Sequence, residues 1–170
     1  MSHVACLPFG LGEHPASADS VEHTRLLGQR FNVQHPDLGL IKVRMFKAAG
    51  AFTTPKNMPV KWSDDDNYTV VLTTEVTDFP VGVIPPDVSD SIASGDLFWG
   101  IMGAGNRVKL RNEDGATVAA GNLIIPAATD GLINDGGTGT TARLDFARAI
   151  EAFTANGQTK IAELMFELVG

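Results

Sequence analysis

Residues 94–110, SGDLFWGIMGAGNRVKL, decide the fold, because they combine two incompatible signals. The glycines at 100, 103 and 105 could cradle a phosphate, whereas the apolar run before them and the alternating residues 107–110 are typical of strands. Phosphate and dinucleotide loops lead into a helix, but here Asn106 and a strand follow. The stretch therefore predicts a hairpin of two core strands, with its turn at residues 104–106 and with Gly100 allowing close packing beneath Trp99.

The composition favours one β-rich globular domain. The chain has 170 residues, of which 44% are apolar and 19% charged, with 18 glycines and 9 prolines. Frequent Gly and Pro indicate many turns and argue against a helical bundle. The length fits a single domain with room for an extended arm.

The formal net charge of -7 is unevenly distributed. Residues 1–62 contain seven Lys and Arg against four Asp and Glu, a net charge of +3, and residues 63–170 contain six against sixteen, a net charge of -10. An acidic body repels nucleic acid, so we expect no nucleic-acid partner. The basic front fits either an acidic protein surface or solvent, and the residues alone favour solvent.

The N-terminal residues and the single cysteine limit the cellular context. Cys6 is the only cysteine, which excludes an intrachain disulfide and a thiolate metal site. The first residues lack the pattern of a secretory signal, and no stretch approaches 18 apolar residues, so we expect neither a leader nor a membrane span. We therefore expect the chain to be made and kept in a reducing cytoplasm.

The pattern along the chain predicts an all-β fold of about nine short strands. Residues 1–24 show no periodicity and fit an extended or disordered arm, so we place an arm at residues 1–26 and a β-rich domain at residues 27–170. The strands are predicted at residues 29–33, 40–47, 68–76, 79–86, 96–102, 107–111, 117–120, 121–133 with a kink at Pro126, and 158–169. Short strands at these intervals are typical of a β-sandwich or a β-barrel.

One short helix is predicted near the C-terminus. Phe146, Ala149, Ile150 and Phe153 recur at spacings of three and four. Thr141 can cap the start of this helix, and residues 156–157, Asn-Gly, can end it.

No group of residues forms a recognisable catalytic or metal site. His3, His14, His23 and His35 follow no zinc-ligand spacing. Residues 64–67, Asp-Asp-Asp-Asn, lack the alternation of a calcium loop, so they favour a solvated turn, and ion binding there stays open. No serine lies in a nucleophile elbow. We expect no enzyme, no cofactor and no metal.

Several short motifs occur in a characteristic order: GDLFW at 95–99, VAAGNLI at 118–124, AATDG at 127–131 and ARAIEA at 147–152. This order resembles that of the small decoration, or cement, proteins of tailed-bacteriophage capsids. LGQRF at 27–31 and KVRMFKAAG at 42–50 look like the N-terminal hairpin of many phage structural proteins. Asn122 stands where an acidic residue is more usual, and residues 53–67 have no counterpart in the pattern.

The resemblance implies a structural virion protein that binds the outside of a tailed-phage head and stabilises contacts between major capsid subunits. It implies the major capsid protein as partner, a homo-oligomer or neighbouring copies on the shell, and a place on the capsid surface after assembly in the host cytoplasm. Weak contacts repeated on a shell add through multivalency, and an arm that orders on binding would contribute. The basic residues that we expect to contact the capsid are Arg25, Arg30, Lys42, Arg44 and Lys47.

Three alternatives stay open. The chain could be another virion component, a carbohydrate-binding β-sandwich or a small β-barrel enzyme. A sugar binder exposes Trp or Tyr, and this chain has only Trp62, Trp99 and Tyr68. An enzyme should present a pocket in which a histidine meets a carboxylate.

Overall fold

The structure is a computed structural model, and it describes residues 7–16, 21–88, 90–137, 145–154 and 157–165. The elements in chain order are α1 Val21–Thr24, β1 Arg30–His35, β2 Gly39–Ala48, β3 Pro59–Asp64, β4 Thr69–Leu72, β5 Gly82–Val83, β6 Leu97–Met102, β7 Arg107–Arg111, β8 Leu123–Pro126, β9 Ile133–Gly137, β10 Ala147–Ala149 and β11 Thr159–Leu164. Within the described ranges, no helix is long and apolar enough to cross a membrane.

The first sheet closes on itself. Its strand order is β1-β2-β4-β3-β5-β6, and β6 also pairs antiparallel with β2. One edge of β2 therefore contacts β6, while the other edge contacts β1 along residues 39–44 and β4 at residues 47–48. We call β2, β4, β3, β5 and β6 the ring, to which β1 is attached at one side.

The other five strands form the second sheet, in the order β7-β11-β10-β8-β9. All four pairings in it are antiparallel. It packs against the ring in a sandwich-like arrangement, so the predicted all-β class is confirmed. The described residues contain eleven strands, where the sequence predicted about nine.

Two hydrophobic cores share the strands of the ring. The ring core consists of Phe46, Ala48, Phe52, Val60, Val70, Val81, Ile84, Val88, Ile92 and Phe98. The inter-sheet core takes residues from β2, β5 and β6 on the ring side and from all five strands of the second sheet. Alternate residues of β6 serve the two cores, since Leu97 and Trp99 belong to the inter-sheet core and Phe98 to the ring core. β6 therefore reads as an unbroken apolar run, because both of its faces are buried.

The predicted hairpin at residues 94–110 is wrong, although both of its strands are present. β6 pairs with β2 and β5 in the ring, whereas β7 pairs with β11 in the second sheet. The connection crosses from one layer to the other, with Gly103 and Gly105 at φ 99° and 78°. β6 and β7 face the same inter-sheet core from opposite sides, so apolar alternation alone could not distinguish this crossing from a hairpin.

Gly100 allows close packing, but the side chain that packs against it is not the predicted Trp99. A Cβ built on Gly100 would lie 2.5 Å from Cε2 of Phe46. This glycine therefore makes room for Phe46 in the ring core, and not for Trp99 on the opposite face.

The predicted C-terminal helix is wrong. Residues 147–149 form β10, which pairs with β11 and β8, and its exposed Arg148 lies between two buried alanines. Phe153 exchanges backbone hydrogen bonds of 2.8 and 3.0 Å with Val118, a pairing of strand type that a helix could not make. Thr141 and Asn156, the predicted ends of the helix, lie outside the described residues. The one described helix is α1, in the predicted arm.

Several smaller boundaries also differ. Residues 117–120 contribute only the isolated bridge of Val118 to Phe153 instead of a strand. All of β3, and all of β9 except Ile133, lie outside the predicted strands. Both missed strands contain Pro, Gly or acidic residues, which have low strand propensity, and tertiary pairing overrides that propensity.

Residues 7–16 form a segment that is packed against β6 and contains a turn at residues 10–13. Phe9 is 8% exposed, and its ring centroid lies 5.1 Å from that of Trp99. Trp99 Nε1 donates a hydrogen bond of 3.2 Å to the carbonyl of Phe9, and the Leu97 amide donates one of 2.9 Å to Pro15. This part of the arm is therefore not loose, while the domain boundary at residues 26 and 27 stays a prediction.

Candidate partner-binding surfaces

The structure does not gather the five predicted contact residues into one patch. Arg30 lies opposite Arg44 in the β1–β2 pairing, and Lys42 lies two residues from Arg44, so these three share one face of the sheet. Lys47 lies near the other end of β2 and, by alternation, on the opposite face. Arg25 follows α1 and is exposed, as is Arg30, whereas Lys42 and Lys47 are half-buried.

Arg44 is buried, whereas the resemblance implied that it contacts the capsid at the surface. Its side chain is 4% exposed, and its guanidinium carbon lies 5.7 Å from the centroid of the Tyr68 ring. Gly28 leaves room for this ring, since a Cβ on Gly28 would lie 2.2 Å from Tyr68 Cζ. β2 is paired along both edges and covered by Tyr68, so its basic residue at this position stacks internally instead of facing solvent.

A second group of basic side chains lies on the outer face of the second sheet. Arg107, Lys109 and Arg111 alternate along β7, and the residues between them are buried. Across the sheet, Arg107 lies opposite Glu163 of β11, and Glu163 lies opposite Arg148 of β10. We call the exposed Arg107, Arg111 and Arg148 the arginine face. The alternation of residues 107–111 could have indicated this face. The charge count by segment did not, because these arginines lie in the half of the sequence that is acidic overall.

Lys109 forms an ion pair within the chain. Its Nζ lies 2.9 Å from Oδ2 of Asp37, in the turn between β1 and β2. The hydrogen bond and the charge of Lys109 hold the pKa of Asp37 below its usual value. This ion pair joins the second sheet to the β1–β2 turn, so Lys109 is not counted in the arginine face.

Two histidines meet carboxylates, the arrangement that an enzyme would need. His35 Nε2 lies 3.0 Å from Asp87 Oδ2, while His35 Nδ1 accepts hydrogen bonds from the amides of Asp37 and Leu38. The ring therefore carries its proton on Nε2, and both nitrogens are used. With His35 only 2% exposed, this pair holds the turn after β1 against the loop at Asp87.

The second pair also holds structure together. His14 Nδ1 lies 3.1 Å from Oδ2 of Asp96, which also accepts a hydrogen bond from the Ala93 amide. This pair fixes the arm segment to the turn that precedes β6. Neither histidine lines the shallow cleft beside Arg148 and Glu163 or the one beside Lys61 and Asp130.

The acidic turn at residues 64–66 remains open as an ion site. Its three carboxylates are exposed and place one oxygen each within 4.8 Å of the others. Asn67 donates its side-chain amide to Asp64 at 2.7 Å. Exposed carboxylates with local hydrogen bonds fit a solvated turn.

Asp145 is the buried carboxylate with the least compensation. It is 6% exposed, and its Oδ1 has no hydrogen-bond partner among the described residues. Burial raises its pKa above the usual value, because an apolar environment disfavours the charged form. In the folded state this carboxyl thus holds its proton to a higher pH than in the unfolded chain.

Asp145→Asn should therefore raise the free energy of unfolding at pH 7, by about 1 kcal/mol. The ionised carboxylate costs stability as the pH rises from its ordinary pKa through the raised folded value, so the gain should vanish in acid below the ordinary pKa. Urea unfolding at neutral and acidic pH measures both effects. Asp130→Asn, at an exposed carboxylate, is the control, and an equal gain for Asp145→Asn at both pH values would contradict the interpretation.

Comparisons with known proteins give a similarity in structure but none in sequence. No family model matches the chain, and no curated protein matches its sequence. Among solved structures, the chain is similar to the crystal structure of the head fiber gp8.5 N base in bacteriophage phi29, with a TM-score of 0.50. The sequences are 16% identical, and the similarity covers 75% of this chain and 97% of that one. At this identity, the likeness shows a shared fold.

Proposed function

We propose that the chain is a structural protein of a tailed-bacteriophage virion, and that it binds the outside of the head as a decoration, or cement, protein. The observation that carries the proposal is the shared fold with the base of a phage head fiber, which extends over 97% of that domain. The motif order around GDLFW supports it separately, because it comes from the sequence and not from the backbone. The proposed partner is the major capsid protein, with further copies of the chain as neighbours on the shell.

The described architecture suits this role. The ring core and the inter-sheet core share the two strands β2 and β6, and the arm segment is fixed across β6. A rigid body can place the same contacts at every equivalent position of a symmetric shell, where weak contacts add through multivalency. Of the five contact residues proposed from the sequence, the exposed Arg25 and Arg30 are the accessible candidates.

The alternatives have less support. Trp99 is fully buried, and the Trp62 and Tyr68 rings meet at 64° instead of forming one flat platform for a sugar. The two histidine–carboxylate pairs use their polar atoms to hold turns, which favours a protein without catalytic activity. Another virion component, such as the base of a head fiber, stays the alternative.

The test is addition of the purified chain to phage heads that lack it. We expect saturable binding by cosedimentation, together with better survival of the heads on heating or osmotic shock. Binding with unchanged survival would favour a head component without a cementing role. Failure of the chain to bind any head would overturn the proposal.

A further inference from the structure

The arginine face is the largest group of cationic side chains to which the proposal above gives no role. Arg107, Arg111 and Arg148 are exposed, and none of them forms an ion pair with another described residue. They lie on one side of the second sheet because residues at i and i+2 of a strand face the same way. Although the net charge of the chain is -7, solvated guanidiniums gathered on one face favour a partner that places carboxylates directly against them.

The same face contains apolar side chains. Ile161 lies opposite Lys109 in the β7–β11 pairing, and Leu123 lies opposite Arg148 in the β8–β10 pairing. Both are half-buried, as is Met165, which lines the cleft that contains Arg148. Arginines around partly exposed aliphatic residues are typical of protein–protein interfaces, in which Arg is enriched and Lys is depleted.

Charge separates a protein partner from a nucleic acid. Glu163 lies between Arg107 and Arg148, and residues 63–170 carry a net charge of -10. A nucleic acid would bring a continuous line of phosphates against Glu163 and the acidic body. Carboxylates at fixed positions on a protein can meet the individual guanidiniums in bidentate pairs and avoid Glu163.

We propose that the arginine face is the surface through which the chain docks on a carboxylate-bearing protein surface of the head. This inference rests on the proposed function and names the contact surface that the sequence had placed at the N-terminal basic residues. The carboxylates would pair with Arg107 and Arg148 on either side of Glu163, and the aliphatic side chains would fill the contact between them.

The test compares two double charge reversals and one control variant in binding to heads that lack the chain. Arg107→Glu with Arg148→Glu alters the arginine face, and Arg25→Glu with Arg30→Glu alters the competing surface at the N-terminal basic residues. Lys56→Glu, at an exposed lysine outside both surfaces, is the control. We expect the first pair to weaken binding at least about tenfold and more than the second pair does, and Lys56→Glu to change it by less than about threefold. The melting temperature of every variant is measured in parallel, so that a loss of folding is not mistaken for a loss of binding.

The outcomes separate the inference from the proposed function. If the unmodified chain binds heads and the arginine-face variant binds equally well, the inference is overturned while the proposed function stands. If only the Arg25→Glu and Arg30→Glu pair weakens binding, the N-terminal basic residues are the contact surface, and the inference is likewise overturned. Saturable binding of a short DNA duplex that depends on Arg107 and Arg148 would overturn the protein partner. No binding of the unmodified chain to heads overturns the proposed function, and the inference with it.

Discussion

Gly100→Ala is expected to lower the free energy of unfolding by about 1–3 kcal/mol, although it adds one methyl group. The new Cβ would lie 2.5 Å from Cε2 and 2.7 Å from Cδ2 of Phe46. Phe46 cannot move aside easily, because it is fully buried and a Cβ on Gly82 would also lie only 2.9 Å from its ring. Chemical denaturation of the unmodified chain and the variant measures the difference.

Gly50→Ala is the matched control, since a Cβ at Gly50 meets nothing within 4 Å. That variant should differ from the unmodified chain by no more than about 0.5 kcal/mol. Phe46→Leu should relieve the clash, so the two substitutions together should cost less than the sum of their separate effects. Equal stability of Gly100→Ala and Gly50→Ala would show that the ring core is looser than this packing requires.

Phe9→Ala should destabilise the whole domain by about 3 kcal/mol, and not the arm alone. The Phe9 ring packs on Trp99, so removing the ring opens the inter-sheet core at one side. The backbone carbonyl of residue 9, which accepts the indole hydrogen bond, is kept in the variant. Thermal unfolding followed by tryptophan fluorescence measures the loss. The control is Pro8→Ala, at the exposed neighbour of Phe9.

An unchanged melting temperature for Phe9→Ala would show that residues 7–16 detach without affecting the body. In that case the arm would be a binding element only, as the sequence alone had suggested. A loss comparable to that of other buried phenylalanines makes the same residues part of the fold.

The burial of β6 was predictable because its residues leave no alternative. Leu97, Phe98 and Trp99 are consecutive and large, and all three are fully buried. The β1–β2 hairpin was also predictable, because a Pro-Asp-Leu-Gly turn separates two runs of strand-forming residues. In both cases the local pattern and the tertiary environment favour the same conformation.

The pairing partners of the strands were not predictable from local patterns. The closure of the ring depends on contacts between β2 and β6, whose paired residues lie 50 to 60 positions apart in the sequence. Near the C-terminus, Phe146 and Phe153 have helical spacing, yet they reach the inter-sheet core from either end of an extended segment. Periodicity identifies which residues are buried more securely than it identifies the backbone path that buries them.

The candidate contact surface was likewise not predictable from local patterns. The local sequence predicts that Arg44 is solvated, because it does not show that both edges of β2 are paired or that Tyr68 covers this residue. Conversely, Arg107 and Arg148 are 41 positions apart in the sequence, and only the strand order β7-β11-β10 places them around Glu163. Exposure follows from topology, so a charge count along the chain could not identify this face.

The sharing of β2 and β6 by the two cores has a mechanical consequence. A force applied to the second sheet reaches the ring through the side chains of these strands, and a force applied to the ring reaches the second sheet by the same route. Separating the layers would expose the inter-sheet faces of β2 and β6 to water, so we expect the two layers to lose their structure together. Under an applied load, such a body should therefore unfold in one step.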